Sequence, residues 1–434
     1  MKQRSQLYAK PVYIVDGLRT PFLKAKGVGP FSAADLATLV GAQLLKRQPF
    51  AASAIDAVVL GCVMPSADEA NIARIVALRL GLGDNVPAET VMRNCASGMQ
   101  SIDTAALEIA AGRNNLMLAG GVEVMSRAPL LLNLEMTNWL GKWTSAKSIG
   151  QRAQALMQLR LAYFKPIVGL LRGLTDPTIG LNMGQTAEEL ALRFAISREE
   201  MDEFAVASHK RAAKAYEQNL MSEVCPIIDF NGRTYTQDDG IRKDSTLEKL
   251  ATLKPFFDKK FGTVTAANSS QVTDGAALLL LASEEAIKKY DLPVLGRIID
   301  TEWAALAPVY MGLGPAYAMA PILTRQKLGL DDIDTFEINE AFAAQVIACN
   351  RALASEKFCQ EELFLKNALG AIDLEKLNPN GGAIALGHPV GASGARIVLH
   401  ALKTLEQNKK KRAMASICIG GGQGGAMYIE REGK

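Results

Sequence analysis

Ile55-Asp56-Ala57-Val58-Val59-Leu60-Gly61 and Ile333-Asp334-Thr335-Phe336-Glu337-Ile338-Asn339 read as one pattern written twice. An Ile-Asp pair opens a short, mostly apolar run in each, the signature of a buried strand. After the first copy comes a turn with a reactive side chain, Asn94-Cys95-Ala96-Ser97-Gly98, leading into a helix of small residues. After the second comes Gly387-His388-Pro389, followed by Gly391-Ala392-Ser393-Gly394. Each helix runs on to a strand and a glycine bend, Gly120-Gly121 in one half and Gly420-Gly421-Gly422 in the other. The repetition implies two similar halves whose active faces meet at a shared site.

Outward from these runs, glycine-punctuated strands alternate with Ala- and Leu-rich helices, which indicates an α/β architecture with parallel or mixed sheets. Val12 to Val15, Ala57 to Leu60 and Leu116 to Ala119 are predicted as buried strands, with helices over Ala34 to Lys46, Ala70 to Leu80 and Gly98 to Ala111. At 434 residues the chain exceeds one ordinary core. It is expected to divide into an N-terminal half over 1–129 completed by 256–290, an inserted loop domain over 130–255, and a C-terminal half over 291–434.

The net charge of +3 does not point to nucleic acid. Six scattered cysteines show neither metal-type pairing nor a disulfide framework, so reduced thiols in a reducing compartment and no metal are expected. No apolar leader precedes Pro11 and no long uncharged span occurs, which fits a cytoplasmic protein. Within the insertion, Thr186 to Gln218 is predicted as two surface helices. Met136 to Thr175 is unlike the rest. It has no acidic residue, it carries Lys142, Lys147, Arg152, Arg160, Lys165 and Arg172, and it opens with Trp139 and Trp143. Leu156, Leu159, Leu161 and Phe164 there have helical apolar spacing.

Cys95 follows a strand and opens a helix, where unpaired N–H groups and the helix dipole favour a thiolate. His388, one of three histidines, sits in a glycine-rich turn before a helix. Cys418 precedes Ile419-Gly420-Gly421-Gly422-Gln423-Gly424-Gly425, where glycines let backbone approach a ligand and present N–H groups as an oxyanion hole, or simply form a tight hairpin. Taken singly, each residue has a structural reading.

In order along the chain, the Cys95 run, Asn339-Glu340-Ala341-Phe342-Ala343-Ala344-Gln345, Gly387-His388-Pro389 and the Cys418 run together resemble the thiolase family. Gly120-Gly121-Val122-Glu123-Val124-Met125-Ser126 and Gly262-Thr263-Val264-Thr265-Ala266-Ala267-Asn268-Ser269-Ser270 extend the resemblance. It implies a thiolase fold, two βαβαβαββ halves in a layered αβαβα core, and CoA-dependent cleavage of a 3-ketoacyl-CoA. By that resemblance Cys95 is the nucleophile and His388 takes its proton. Cys418 protonates the acetyl-CoA enolate, and Asn339 holds a water at the enolate's oxyanion hole. The N–H groups of Cys95 and Gly420 form a second hole. Ser270 and Arg242 contact CoA, while Met183, Met311 and Phe342 line its tunnel. Coenzyme A is then a co-substrate, no cofactor is permanently bound, and a homodimer is expected.

One departure is Asn182, where many short-chain thiolases carry histidine before Met-Gly. With the long basic insertion, it resembles thiolase subunits of the fatty-acid oxidation trifunctional complex, which implies a hydratase–dehydrogenase α subunit as partner. An anionic membrane surface is the preferred reading of 136–175. An acetoacetyl-CoA thiolase is the nearer alternative, and a non-catalytic lipid carrier the more distant one. A 3-ketoacyl-ACP synthase needs two catalytic histidines, or one with an asparagine, and no second cysteine acid. His209 on a predicted surface helix and His400 in mid-helix do not supply them.

Overall fold

The computed structural model describes residues 8–432. Strands β1 (Val12–Arg19), β2 (Ala57–Gly61), β3 (Ala88–Val91), β4 (Leu116–Val124), β5 (Thr273–Ala282), β6 (Gly296–Ala305), β7 (Thr335–Ile338), β8 (Arg412–Ile419) and β9 (Gln423–Glu430) pair in the order β7-β8-β9-β6-β1-β5-β4-β2-β3. The two-residue strand Leu23–Lys24 adds to β5. β2 is parallel to both β3 and β4, and β7 is parallel to β8, while the remaining pairings on this path are antiparallel. Cutting between β1 and β6 leaves β1-β5-β4-β2 on one side and β6-β9-β8-β7 on the other, alike in order and direction. The repeated Ile-Asp runs lead into β2 and β7, equivalent positions in the two halves.

The helices that matter below are α1 (Ala33–Lys46), α2 (Ile72–Arg79), α3 (Ser97–Ala110), α4 (Leu134–Ser145), α5 (Ile149–Met157), α6 (Met183–Arg193), α7 (Arg198–Glu217), α8 (Gly314–Gln326), α9 (Ala343–Ala354) and α10 (Val390–Asn408). The period-two alternation of the strands sorts their side chains into separate cores. Ala276, Leu278 and Leu280 of β5 join α1 and α2, whereas Ala277, Leu279 and Leu281 join α3 and α10. On β8, Ala413, Ala415 and Ile417 face the same α3/α10 core, and Met414 and Cys418 face α8 and α9. The result is five layers, with α3 and α10 sandwiched between the two half-sheets. Strands covered on both faces need continuous apolar runs, as β5 and β8 have.

The middle layer is held by backbone-to-backbone approach. A Cβ on Gly121 would lie 2.0 Å from the Gly391 carbonyl oxygen, and one on Gly61 would lie 2.3 Å from the Ser97 carbonyl carbon. A Cβ on Gly98 or Gly394 would strike the facing helix at 2.8 Å and 2.5 Å respectively. The first turns of α3 and α10 therefore cross in contact.

Three expectations need correction. α6 and α7 are helices, but one face of each is core: Leu190, Ala191, Met201 and Ala205 are buried with α8 and α9. His209 on α7 is buried too, its Nδ1 accepting the Arg242 N–H at 3.2 Å. The apolar series through Phe164 is not one helix, because α5 ends at Met157 and a separate 3-10 turn spans Leu161–Phe164.

The glycine contacts predict opposite outcomes at two positions. Gly121→Ala should lower stability in urea by about 3 kcal/mol, as overpacking forces α10 off β4. Gly141→Ala, with nothing within 4 Å of the added carbon and a helical site in α4, should be neutral or stabilise by up to about 1 kcal/mol. Urea midpoints of the two variants against wild type measure both.

Candidate active site

The turn carrying Cys95 is built as an elbow. Asn94 takes a left-handed φ of 43°, which asparagine tolerates better than most residues. Ser97 Oγ accepts the Arg93 N–H at 2.9 Å and donates to the Asn94 carbonyl at 2.7 Å, closing the turn onto α3. Asn94 Nδ2 donates to the Gly420 carbonyl at 2.8 Å, tying the elbow to the β8–β9 hairpin of the other half. That hairpin turns through Gly421 and Gly422, both at positive φ, so the run is a tight turn and a pocket wall together.

Cys95, Asn94 and Gly420 line a cavity of about 120 Å³. Its other walls include Met64 and Met125 from the N-terminal half, Val390 at the start of α10, and Leu170, Leu174 and Met183 from the insertion. Asn182 is not among the lining residues. Its side chain caps α6, accepting the Gln185 N–H at 3.0 Å while Gln185 Oε1 accepts the Asn182 N–H at 2.9 Å.

His388 is buried, with Nδ1 2.6 Å from Ser393 Oγ and Nε2 3.5 Å from Asn339 Nδ2. Because Ser393 Oγ donates to the Pro389 carbonyl at 3.1 Å, it accepts from Nδ1–H, which assigns the lone pair to Nε2. The Gln271 carbonyl holds the His388 N–H at 3.1 Å. Burial, aided by the Arg396 charge, pushes His388 down to about 3, so it is neutral at working pH. Asn339 directly follows β7 and is fully buried.

The thiols behave differently from the expected resting thiolate. Burial pushes Cys95 above its ordinary value, although the N–H groups of Gly420 and of Cys95 itself pull the other way. Cys418 is pushed well above its ordinary value chiefly by burial, and by the repulsion its thiolate would meet if Cys95 or Cys349 were ionised too. α3 starts only at Ser97, and desolvation outweighs its N-terminal field. Both sulfurs rest protonated, and the His388 imidazole is neutral and able to accept one proton.

The remaining sequence-derived residues are distributed more widely. Phe342 stacks edge-on against Phe257 at 5.8 Å and forms a bridge with Ser269, while the Ser270 N–H donates to the Ala341 carbonyl at 2.9 Å. Met311 is buried in the core shared with Cys418 and Phe342. Arg242 is exposed beside His209, outside the cavity. Ser393, Arg396 and Gln271 escaped the sequence reading. Arg396, a lone charge preceding Ile397-Val398-Leu399, was the available signal.

Comparison with known proteins agrees with this fold. Residues 12–285 match the thiolase N-terminal domain and 292–431 the thiolase C-terminal domain. The β-ketoadipyl-CoA thiolase of Pseudomonas aeruginosa is 41% identical over 430 residues, 98% of this chain and 100% of that one. The mitochondrial trifunctional enzyme subunit beta of Bos taurus is 38% identical over 431 residues, covering 97% and 89%. The crystal structure of human mitochondrial 3-ketoacyl-CoA thiolase in complex with CoA superposes with a TM-score of 0.85 at 36% identity, covering 99% of this chain and 100% of that chain. The chain belongs to the thiolase family. It is an acyltransferase with the thiolase fold.

The buried histidines set a pH signature for stability. Folded His388 stays neutral down to about pH 3 and folded His209 to about 4, whereas unfolded histidine protonates near 6.5. Their contribution is present above pH 6.5 and is lost as pH falls toward the folded values, about 2 kcal/mol each by pH 5. His400 is raised, chiefly by Glu223 acting against its burial, so its contribution runs oppositely and is lost as pH rises. In urea titrations, His388→Asn should shrink the stability difference between pH 7 and pH 5 by about 2 kcal/mol.

Proposed function

We propose that this protein cleaves 3-ketoacyl-CoA with CoA, giving acetyl-CoA and an acyl-CoA two carbons shorter, in fatty-acid β-oxidation. The observation that carries the reading is the cavity at the seam of the two halves, walled by the Cys95 elbow, the Gly420 hairpin and Val390, two residues past His388. His388 Nε2 takes the Cys95 proton, and the thiolate attacks the 3-keto carbon, whose oxyanion the Cys95 and Gly420 N–H groups receive. The C2–C3 bond then breaks, leaving the acyl group on Cys95. The departing enolate, stabilised near Asn339 and His388, takes a proton from Cys418. Its high proton affinity keeps Cys418 loaded for that step. Incoming CoA returns a proton to Cys418, its thiolate attacks the acyl-cysteine, and His388 reprotonates Cys95.

Ser270, Arg242, Met183, Met311 and Phe342 are assigned to the CoA and acyl tunnel, with Arg242 at its solvent end. An anionic tail, such as a dicarboxylate's, is disfavoured in the Cys95 cavity. The cavity's only charged lining side chain is Asp176, held ionised chiefly by Thr178. Met64, Met125, Leu170 and Leu174 suit an alkyl chain instead.

The domain limits proposed are 1–129 with 256–290, 130–255 and 291–434, the family matches meeting between 285 and 292. A homodimer is proposed, and the free side of edge strand β3, followed by the exposed Met92, supports one. A hydratase–dehydrogenase α subunit is the proposed partner, and the cytoplasm, peripherally at a membrane, the proposed location. For the membrane reading, Trp139 and Trp143 give less support than expected. They stack on each other at 5.6 Å, half-buried, with Trp139 donating to the Ala155 carbonyl at 2.8 Å. The support comes from outward apolar groups, Leu131, Leu134, Ile149, Met157, Leu161 and Phe164, among the basic residues.

CoA-dependent loss of the magnesium-enolate absorbance should be seen with a C16 substrate and vanish in Cys95→Ala. Cleavage of C4 alone would move the enzyme to acetoacetyl-CoA metabolism. In flotation assays, the protein should rise with vesicles containing anionic lipid and remain behind with neutral ones. Equal behaviour with both would exclude the membrane role.

A further inference from the structure

We infer that Arg396, clamped by Glu337, is a positioning residue for thiolysis: it fixes the Asn339 carboxamide so that the NH₂ end faces His388 and the reacting oxygen. The inference rests on the thiolytic reading above and adds to it a residue outside the cavity.

Arg396 and Glu337 are both buried, 1% and 0% exposed, and Nη1 meets Oε2 at 2.9 Å. From that anchored position Nη2 points to Asn339 Oδ1 at 3.5 Å, while Asn339 Nδ2 stands 3.5 Å from His388 Nε2. A carboxamide is nearly symmetric in shape, so packing alone does not choose its orientation. A guanidinium does choose, because it has only donors. Flipping the amide would set NH₂ against N–H and leave its oxygen facing the lone pair of His388. With the oxygen held on the cation side, the amide hydrogens are presented on the His388 side, the arrangement an enolate oxygen or its bridging water there requires.

The same cation acts on His388 through space, adding to burial in keeping the imidazole neutral. The charged groups packed around this junction are few. Glu337 and Glu340 flank Asn339, with Glu340 engaged by Ser208, Asn378 and the Ile384 N–H. Glu123 takes the Gly391 N–H in the first turn of α10. His400, one turn beyond Arg396, is paired with Glu223. Arg396 is thus the cation directed at Asn339, and Glu337 is the group that holds it in place.

Two substitutions in the full-length enzyme separate charge from geometry. Arg396→Lys keeps the charge but loses the planar fork, and Arg396→Gln loses both. In both, kcat for C16 thiolysis should fall at least tenfold with KM for CoA changed less than threefold. The acid limb of the kcat/KM pH profile should move to higher pH in the Gln variant only, since His388 then regains basicity. Unchanged kcat in Arg396→Lys, or a loss confined to KM, would overturn the inference. If neither variant folds, Asn339→Asp carries the test. A carboxylate facing Arg396 should keep wild-type stability while kcat falls at least a hundredfold, and a large loss of stability would overturn the proposed contact. Absence of thiolysis in wild type would instead defeat the proposed function, whereas an active wild type with fully active Arg396 variants defeats only this inference.

Discussion

Everything in this molecule is arranged around the crossing of α3 and α10 at van der Waals distance. Gly98, Gly391 and Gly394 remove the side chains that would keep the two backbones apart, and Gly61 and Gly121 let the neighbouring strands close over the junction. The crossing falls in the first turn of each helix, so the residues just ahead of each helix, Cys95 and His388, are delivered to the same region. Neither half supplies both. The hydrogen bond from Asn94 to Gly420 then sets the distance between the elbow and the facing hairpin. A loosened crossing would leave two intact half-sheets and a dispersed site.

The electrostatics of the resting site follow from this compactness. Desolvation dominates at the half-buried Cys95, the buried Cys418 and the imidazole, which keeps all three uncharged. Apart from Asp176 on the cavity wall, charge is gathered in a buried series in which Arg19 pairs with Asp238 and Glu223, Glu223 with His400, and Arg396 with Glu337. Because buried ion pairs recover little net stability over apolar packing, their presence there is better explained by the fixed fields and hydrogen-bond directions they impose. The series also stitches the insertion, through Glu223 and Asp238, to the core helix that follows His388.

Much of this was legible from residues alone. The doubled Ile-Asp run, the order of the four motifs and the alternation of strands with small-residue helices announced two halves and a family, because short-range pattern and chain order carry that information. Capping by Asn71 moved the start of α2 from Ala70 to Ile72, a two-residue correction that side-chain hydrogen bonding decides. What escaped was set by long-range packing. His209 reads as surface from its Ala- and Lys-rich surroundings, yet α7 turns that face onto the core. The protonated state of Cys95 could not be read either, since the field of a helix start is local whereas desolvation depends on what the far half places above it. Ser393 and Arg396 were visible as letters, but their partners lie on different elements.

The two copies of the strand motif end differently, and the difference is informative. Gly61 closes the first copy at the position where Asn339 closes the second. In one half that position is emptied so that the backbone beginning the nucleophile's helix can occupy the space, and in the other it is filled by an amide beside the histidine. Duplicated architecture has thus been specialised by subtraction on one side and addition on the other. Reverting either copy toward its twin would remove room or chemistry, so the symmetry of the scaffold can no longer be restored without losing the site. The fusion of the halves is in that sense irreversible: they have become complementary parts and are no longer interchangeable ones.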